Sequence, residues 1–280
     1  MREASGVPSS AYVVSTAAQD LLPRLKAAWQ YRNLLYFLVW REIKVRYKQA
    51  LIGAGWAIIQ PCLTMLIFTV VFGYFARLPS DGLPYPLFAF TALLPWTYFA
   101  DAVRRSSLSL VEDGELVRKI YFPRLIIPLA MVAAPLVDLA LSSFALIGLF
   151  AWYGMVPTAN IVFLPAFVLL ALGLAFAVAL WLGPLNVRFR DIKHVVPFLI
   201  QIWMYASPLI YPVSLVPERF KVIYSLNPLV GIIEGFRWAL LGTTSPDFTA
   251  IGIGIALTGA LLAGGLVYFG RMERVFADVI

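Results

Sequence analysis

The sequence predicts an all-α integral membrane protein with six transmembrane helices, and three observations carry this prediction. Hydrophobic residues make up 61% of the 280 residues and charged residues only 13%, a balance far from that of a soluble domain. Apolar stretches of about 20 residues, the length that a helix needs to cross a bilayer, recur along the chain. Lys and Arg cluster in alternate segments between these stretches, as they do in multi-pass proteins.

The predicted spans are separated mostly by short polar segments. They are Gly53 to Ala76, Tyr85 to Val103, Leu125 to Trp152, Pro157 to Leu185, Val195 to Pro212 and Phe248 to Phe269. The second span is the weakest, because Asp101 lies near its inner end and Arg104 and Arg105 close it. Prolines lie within several spans, where neighbouring helices satisfy the freed carbonyl groups, so we expect kinks and not breaks.

The distribution of Lys and Arg orients the spans. Residues 1 to 52 hold eight of these cations, the loop after span two five, the loop after span four three and the C-terminus two, against four in all other loops. Because the richer side faces the cytoplasm, both termini are predicted to be cytoplasmic. The net charge of +7 is therefore a topology signal, and we expect no nucleic-acid partner.

Two segments precede the first span. Residues 1 to 28 are polar and lack the apolar core of a signal peptide, so we expect a cytoplasmic N-terminal segment. Residues 29 to 48 predict an amphipathic interface helix, because the apolar run Leu34 to Trp40 is too short to cross and basic residues flank it. This helix either fixes topology as a basic anchor on membrane lipid or has a specific mechanical role. We expect residues 49 to 280 to form a single transmembrane domain.

The segment between spans five and six, residues 213 to 247, is too long for a tight turn. Its apolar part, Leu226 to Leu241, is too short to span the bilayer. We expect a re-entrant pair of short helices on the outer side, with Pro228 at the start of the second. Glu234 and Arg237 are three residues apart, so they can pair on one helical face or form a solvated surface pair.

The sequence shows little of the chemistry that an enzyme or an ATPase needs. The phosphate-binding pattern G-x-x-x-x-G-K-[ST] does not occur. The single cysteine, Cys62, and the single histidine, His194, lack partners with metal-ligand spacing. No close carboxylate pair lies within a span. We therefore expect no catalytic residue, cofactor or metal in this chain.

Asp138 is the one clear acid deep in a predicted span. An intramembrane carboxylate can belong to a proton relay. With Ser142 and Ser143 one turn further on, Asp138 can instead cap or cross-link packed helices. We favour cross-linking, because proton-coupled transporters usually carry more such groups and internal repeats.

Several short motifs resemble, in order and spacing, the permeases of type 2 ABC exporters that move O-antigen, capsule and teichoic-acid polymers. The motifs are RYKQALIGAGW from Arg46 to Trp56 followed by Pro61, KIYFPR from Lys119 to Arg124, NVRFRDI from Asn186 to Ile192, SPLIYP from Ser207 to Pro212, and Asn227-Pro228. The resemblance covers roughly residues 30 to 270. It departs from the family pattern at Ala50, where serine is common, and at Leu125, where an acidic residue is common.

This resemblance implies a permease domain that passes a lipid-linked surface polysaccharide across the bacterial inner membrane and performs no covalent chemistry. It implies a homodimer that sits on two copies of a separate ATPase subunit, which holds the ATP and Mg²⁺. The loop from Glu112 to Arg124 resembles the family's coupling helix, which docks on that ATPase. Its predicted docking residues are Glu115, Arg118, Lys119, Tyr121, Phe122, Pro123 and Arg124, with Pro123 ending the helix. An ordinary cytoplasmic loop whose cations only set topology is the alternative.

The resemblance also implies that spans one and five line the export path and that the short outer helices gate it. The aromatic residues on these spans are candidates for stacking on sugar rings, although aromatic residues in membrane helices more often pack or sit at the interface. The candidate lining residues are Trp56, Phe68, Phe72, Tyr74, Trp203, Tyr205 and Tyr211, and the candidate outer gate comprises Asn227, Pro228, Glu234 and Arg237. The alternatives are an ABC exporter of another lipid or drug and a polytopic membrane enzyme of glycolipid assembly.

Overall fold

The computed structural model describes residues 29–48, 53–119, 122–242 and 247–273, without the side chains of residues 117 and 118. These residues form helices and turns, and no strand occurs among them, so the all-helical prediction is confirmed. The predicted N-terminal segment of residues 1–28 and the docking residue Tyr121 lie outside the described residues.

The described residues contain eleven α-helices, which we number in chain order. They are α1 Arg32–Lys48, α2 Gly55–Phe68, α3 Tyr85–Glu112, α4 Gly114–Lys119, α5 Ile126–Ala133, α6 Leu136–Tyr153, α7 Leu164–Arg188, α8 Ile192–Tyr205, α9 Glu218–Ser225, α10 Pro228–Leu241 and α11 Phe248–Met272. A π-helical segment, Thr69–Phe75, continues α2, and short 3₁₀ helices occupy Ala159–Phe163 and Val213–Leu215.

Four helical segments are long and apolar enough to cross a membrane: Gly55–Phe75, Ile126–Tyr153, Ala159–Arg188 and Phe248–Met272. They match predicted spans one, three, four and six. The chain therefore has the helices of a multi-pass membrane protein, as the sequence predicts.

The predicted second span is α3, a helix of 28 residues. At about 1.5 Å per residue it is long enough to cross a bilayer, but it is less apolar than the other spans. Most of its residues are buried, because it packs against α2, α5, α6, α7, α8 and α10. Its polar groups are satisfied inside the fold; the Tyr98 hydroxyl, for example, donates to the Val132 carbonyl at 3.1 Å. Protein thus replaces lipid around this central helix.

The predicted fifth span is shorter than expected. Helix α8 has 14 residues, about 21 Å, which is less than the roughly 30 Å hydrocarbon core. The chain continues from residue 206 to 212 in turns. Six complete crossings are therefore not confirmed.

Pro61, Pro95 and Pro197 lie inside continuous helices. Ala134 and Pro135 form a two-residue turn between α5 and α6, where proline removes a backbone donor and its ring crowds the preceding turn. Both residues keep right-handed helical backbone angles, so the two helices continue one membrane-length segment. That the helices kink at these prolines stays a prediction.

The predicted short elements form near their expected positions. Helix α1 covers most of the predicted interface helix, and α9 and α10 lie between α8 and α11, with Pro228 as the first residue of α10. That α1 lies on the membrane surface and that α9 and α10 re-enter the membrane remain predictions. Helix α4 is described as far as Lys119, and Phe122 and Pro123 are non-helical. Because residues 120 and 121 lie outside the described residues, that Pro123 ends this helix stays a prediction.

Candidate functional site

A cavity of about 510 Å³ lies between α2, α3, α6 and α8, beside the end of α1. Apolar side chains from three of these helices form much of its wall, including Trp56, Leu93, Trp96, Ile200 and Met204. Charged side chains form another part of the wall. The cavity therefore combines an apolar surface with a compact group of charges.

The charged part consists of five side chains, which we call the arginine cluster: Arg46, Asp101, Arg104, Arg105 and Asp138. Arg46 lies at its centre. Arg46 on α1 pairs with Asp101 on α3 at 3.1 Å and with Asp138 on α6. Their side chains are only 16%, 18% and 22% exposed. Three helices thus meet at one guanidinium group, and the ion pairs offset the cost of removing these charges from water.

Asp101 carries two further ion pairs within its own helix. Arg104 and Arg105 each approach its carboxylate to 2.7 Å, because residues three and four apart share one helical face. Three arginines against two aspartates leave one positive charge in the cluster. The Nε of Arg46 is buried and has no hydrogen-bond acceptor among the described residues.

The sequence did not predict this cluster. From the sequence alone, Arg46 belongs to the basic flank of the interface helix and begins the first family motif, and Asp101 weakens span two. Their pairing is not visible there, because it depends on the fold and not on local spacing. The only visible signal was the local set of Asp101, Arg104 and Arg105, whose spacing allows intrahelical pairs.

The contacts of Asp138 favour helix cross-linking over a proton relay. In addition to Arg46, the Tyr47 hydroxyl donates to its carboxylate. One turn later, the Ser142 hydroxyl donates to the Ala57 carbonyl at 2.7 Å and joins α6 to α2. The Ser143 hydroxyl bonds within α6, to the Leu139 carbonyl at 2.8 Å.

The predicted docking loop carries an exposed ion pair on its short helix, α4. In α4, Glu115 and Lys119 form an ion pair of 2.8 Å and are 85% and 73% exposed. Phe122 is only 6% exposed and packs in the core of this chain, so its ring is not available as an anchor for another protein. Pro123 lies in the non-helical turn, and the side chain of Arg118 lies outside the described part of the chain.

Both ends of this loop are tied to other helices. Arg124 donates from its backbone N–H to the Glu273 carboxylate at 3.3 Å and from its guanidinium to the Glu273 carbonyl. Asp113, which precedes α4, accepts from Nη2 of Arg41 at 2.9 and 2.8 Å through its two carboxylate oxygens. Burial lowers the pKa of Arg41, but the hydrogen bonds and charges of Asp113 and Glu42 outweigh it and raise this pKa overall.

The candidate lining residues do not form one surface. Of the seven candidates, Trp56 alone is among the described residues that line the cavity. Phe68 is buried, and its ring packs edge-on against Phe72 with centroids 5.6 Å apart. Tyr74 and Tyr205 are exposed at 75% and 55%.

The other two aromatic candidates make hydrogen bonds near the C-terminal end of α8. The Trp203 ring packs edge-on against Phe99, with centroids 5.0 Å apart. The Tyr211 hydroxyl donates to the Tyr205 carbonyl and accepts from the Tyr224 hydroxyl, both at 3.2 Å. These residues therefore help to hold the end of α8 in place.

Asn227 is the main polar junction of the predicted outer gate. Its Oδ1 accepts from the Leu229 backbone N–H at 3.1 Å, which caps α10. The same oxygen accepts from Nε1 of Trp203 at 2.8 Å. Its Nδ2 donates to the Ala206 carbonyl at 3.1 Å and to the Ser207 hydroxyl at 2.8 Å. One side chain thus joins α10 to the end of α8.

Glu234 and Arg237 pair at 2.9 Å, as the spacing predicts. The alternative of a solvated surface pair is wrong, because the Arg237 side chain is only 6% exposed. Its guanidinium lies 3.6 Å from the centre of the Phe88 ring and donates to the Leu209 carbonyl at 3.3 Å. Arg237 therefore connects α10 to α3 and to the turn after α8.

Comparisons with known proteins identify a family and several relatives of this sequence. The sequence matches the ABC-2 type transporter family over residues 33–241. It is 30% identical to the O-antigen export system permease protein RfbA of Myxococcus xanthus over 259 aligned residues. This alignment covers 91% of this chain and 98% of the relative. A protein of the same name from Klebsiella pneumoniae is 28% identical over 89% of this chain and 95% of its own length. The polysialic acid transport protein KpsM of Escherichia coli is 24% identical over 77% of this chain and 82% of its own length.

Proposed function

The chain belongs to the ABC-2 type transporter family, and on that premise we propose that it is the transmembrane subunit of an ABC exporter for a lipid-linked bacterial surface polysaccharide. One observation carries this proposal: the chain aligns over 91% of its length with a protein named as an O-antigen export permease. A relative named for polysialic acid transport extends the comparison to a second surface polymer.

The energy source in this proposal is a separate ATPase subunit. The sequence has no phosphate-binding glycine loop of its own. The charged, exposed helix α4 lies in the loop after α3, which is one of the cation-rich segments. Two copies of the chain in the inner membrane, each with α4 on one ATPase, form the proposed assembly, with both chain termini in the cytoplasm.

The proposed path runs beside α2 and α8. In the proposed six-span arrangement, α3 crosses in the centre of the fold, and the buried turn after α8 completes the fifth crossing. Leu209 and Ile210 in this turn are buried, and Tyr85 donates to the Ile210 carbonyl at 2.7 Å, which supports its inclusion in the bundle. Helices α9 and α10 then close the outer end as a re-entrant pair.

This arrangement assigns simple physical roles to the chain's own residues. The exposed rings of Trp56 and Tyr205 offer apolar faces on which sugar rings can stack. The tie between Asn227 and the end of α8 holds the outer helices against the path. Movement of the ATPase subunits supplies the change between inward and outward states.

Deletion of the gene in its native host tests the proposal. We expect the surface polysaccharide to disappear and its lipid-linked form to accumulate on the cytoplasmic side, with recovery when the wild-type gene is returned. Unchanged surface polymer together with altered lipid composition or drug tolerance would instead support an exporter of another lipid or drug. Loss of the lipid-linked form itself would support a membrane enzyme of glycolipid assembly.

A further inference from the structure

Tyr85, the first residue of α3, lies between predicted spans one and five, at their outer ends in the proposed orientation. Its side chain is buried, with only 8% exposed. The hydroxyl donates to the Ile210 carbonyl at 2.7 Å, in the turn that follows α8. The ring faces Gly73, in the π-helical segment that continues α2. One buried side chain therefore contacts both of the spans beside which the proposed path runs.

The contact between Tyr85 and Gly73 depends on the missing side chain of the glycine. A Cβ atom at position 73 would lie 2.9 Å from Cγ and 3.1 Å from Cδ1 of the tyrosine ring. Carbon atoms in proteins pack at about 3.5–4.0 Å, so any other residue at this position would push the ring away. The ring therefore rests directly against the backbone of span one.

The π-helical segment is an unusual feature at the end of a membrane span. It covers Thr69–Phe75, and the Ala76 N–H bonds to the Val71 carbonyl, five residues earlier, at 2.9 Å. Such segments are rare and often occur at functional sites. Tyr74, the residue after Gly73, is 75% exposed. The segment thus presents an aromatic ring directly after the residue that Tyr85 contacts.

The turn after α8 is held through two successive carbonyl groups. Tyr85 donates to Ile210, and Arg237 donates to the Leu209 carbonyl at 3.3 Å. The Arg237 guanidinium lies 3.6 Å from the centre of the Phe88 ring, which packs against the Tyr85 ring with centroids 6.0 Å apart. Both carbonyls lie outside helices, so side-chain donors satisfy them within the protein.

We propose that Tyr85 is a positioning residue that sets the distance between spans one and five at the outer end of the export path. Its ring rests against the residue before Tyr74, and its hydroxyl holds the residue before Tyr211. Tyr74 and Tyr211 are both candidate lining residues, so a shift of Tyr85 changes the separation of the two rings that are offered to the polymer. This inference rests on the proposed function, because it assumes that the polymer passes beside these spans.

The test is a double-mutant cycle in the complete complex of permease and ATPase. Tyr85→Phe keeps the ring and removes the bond to Ile210, and Gly73→Ala pushes the ring away from span one. We expect polymer export per inserted permease to fall by about fivefold in each single variant, the factor by which one hydrogen bond changes a conformational equilibrium. The double variant should lie within about twofold of the single variants, because both changes act through the same bond. Single effects that multiply in the double variant would overturn the proposal.

A distance measurement tests the positioning directly. Spin labels at Phe75→Cys and Leu215→Cys, in a Cys62→Ala chain diluted with unlabelled chain, report the separation of the π-helical segment from the 3₁₀ helix after the turn. Both side chains are exposed, at 72% and 48%, so labels fit there. We expect the distance distribution to shift or broaden in Tyr85→Phe and in Gly73→Ala. An unchanged distribution in both variants would contradict the proposal.

Tyr98→Phe and Gly148→Ala are the matched controls. Tyr98 is a second buried tyrosine of α3, and its hydroxyl donates to the Val132 carbonyl of α5 at 3.1 Å. A Cβ atom at Gly148 in α6 would meet no atom within 4 Å. We expect Tyr98→Phe to lower the unfolding temperature of the purified complex about as much as Tyr85→Phe does, while both controls keep export and the label distance close to wild type. An equal loss of export in Tyr98→Phe and Tyr85→Phe would show general destabilisation in place of positioning and would overturn the proposal.

Failure of this inference and failure of the proposed function give different results. Wild-type export in both single variants would overturn the role of Tyr85 and leave the transporter assignment intact. Surface polysaccharide that persists after deletion of the gene would overturn the proposed function itself.

Discussion

The indole N–H of Trp203 donates a 2.8 Å hydrogen bond to Oδ1 of Asn227. This bond joins the last turn of α8 to the first residue before α10, and it gives Trp203 a structural role beside its predicted contact with sugar. The same oxygen caps α10. A single atom therefore connects α8, beside the proposed path, to α10 of the predicted outer gate.

Asn227→Ala is expected to destabilise the outer helices. The change removes the helix cap, worth about 1 kcal/mol, and leaves the indole N–H of Trp203 unpaired, at a cost of about 1–3 kcal/mol. A lower unfolding temperature of the purified chain in detergent would record this loss. Asn227→Ser is the matched control, because its hydroxyl oxygen can still cap α10, so its loss should be smaller. Equal unfolding temperatures for wild type and Asn227→Ala would contradict the prediction.

Gly235→Ala is expected to disturb the packing of α10 on α7. A Cβ atom at this position would lie 2.1 Å from Cε1 of Phe167, so the ring or the helix must shift, at a cost of about 1–3 kcal/mol. Gly259→Ala in α11 is the control, because its Cβ would meet no atom within 4 Å. The two variants should separate in unfolding temperature, with Gly259→Ala at or above wild type. Similar values for both would show that the α10 contact is not tight.

Stacking of the polymer predicts a specific effect at Tyr205, whose side chain is 55% exposed. Tyr205→Ala should reduce export several-fold, and Tyr205→Phe should keep most of it because the ring remains. Tyr205 is a cleaner position than Trp203, since replacing Trp203 also removes its bond to Asn227. Export of the Ala variant at the level of the Phe variant would exclude stacking at this position.

The proposed orientation predicts which positions an impermeant thiol reagent reaches in intact cells. In a chain with Cys62→Ala, Val156→Cys should react from outside, because it lies between spans three and four and is 83% exposed. Arg190 is exposed between spans four and five. Arg190→Cys should react only after the membrane is permeabilised. The reverse pattern would show that the charge count misassigns the two sides.

The sequence predicts the helical class and the positions of most elements because their signals are local. Apolar length marks the spans, and the Asn227-Pro228 pair marks the start of α10, since proline is tolerated at the first helical position. The spacing of Glu234 and Arg237 predicts their pairing for the same reason.

The remaining features depend on the fold. The pairing of Arg46 with Asp101 and Asp138 joins residues from three helices, and no sequence spacing signals it. Burial of Phe122 also depends on neighbours that are distant in sequence, so an apolar residue in a loop predicted to be cytoplasmic could be interpreted as a docking anchor. The shortness of α8 was hidden because the apolar composition continues through the turns after Tyr205.

Isolation of the protein from native membranes in mild detergent, with identification of what accompanies it, tests the central claim most directly. The account predicts a stoichiometric ABC ATPase in an assembly of two permease chains and two ATPase chains, with ATP hydrolysis in the purified complex. An intact permease that is active without any ATPase partner would contradict it.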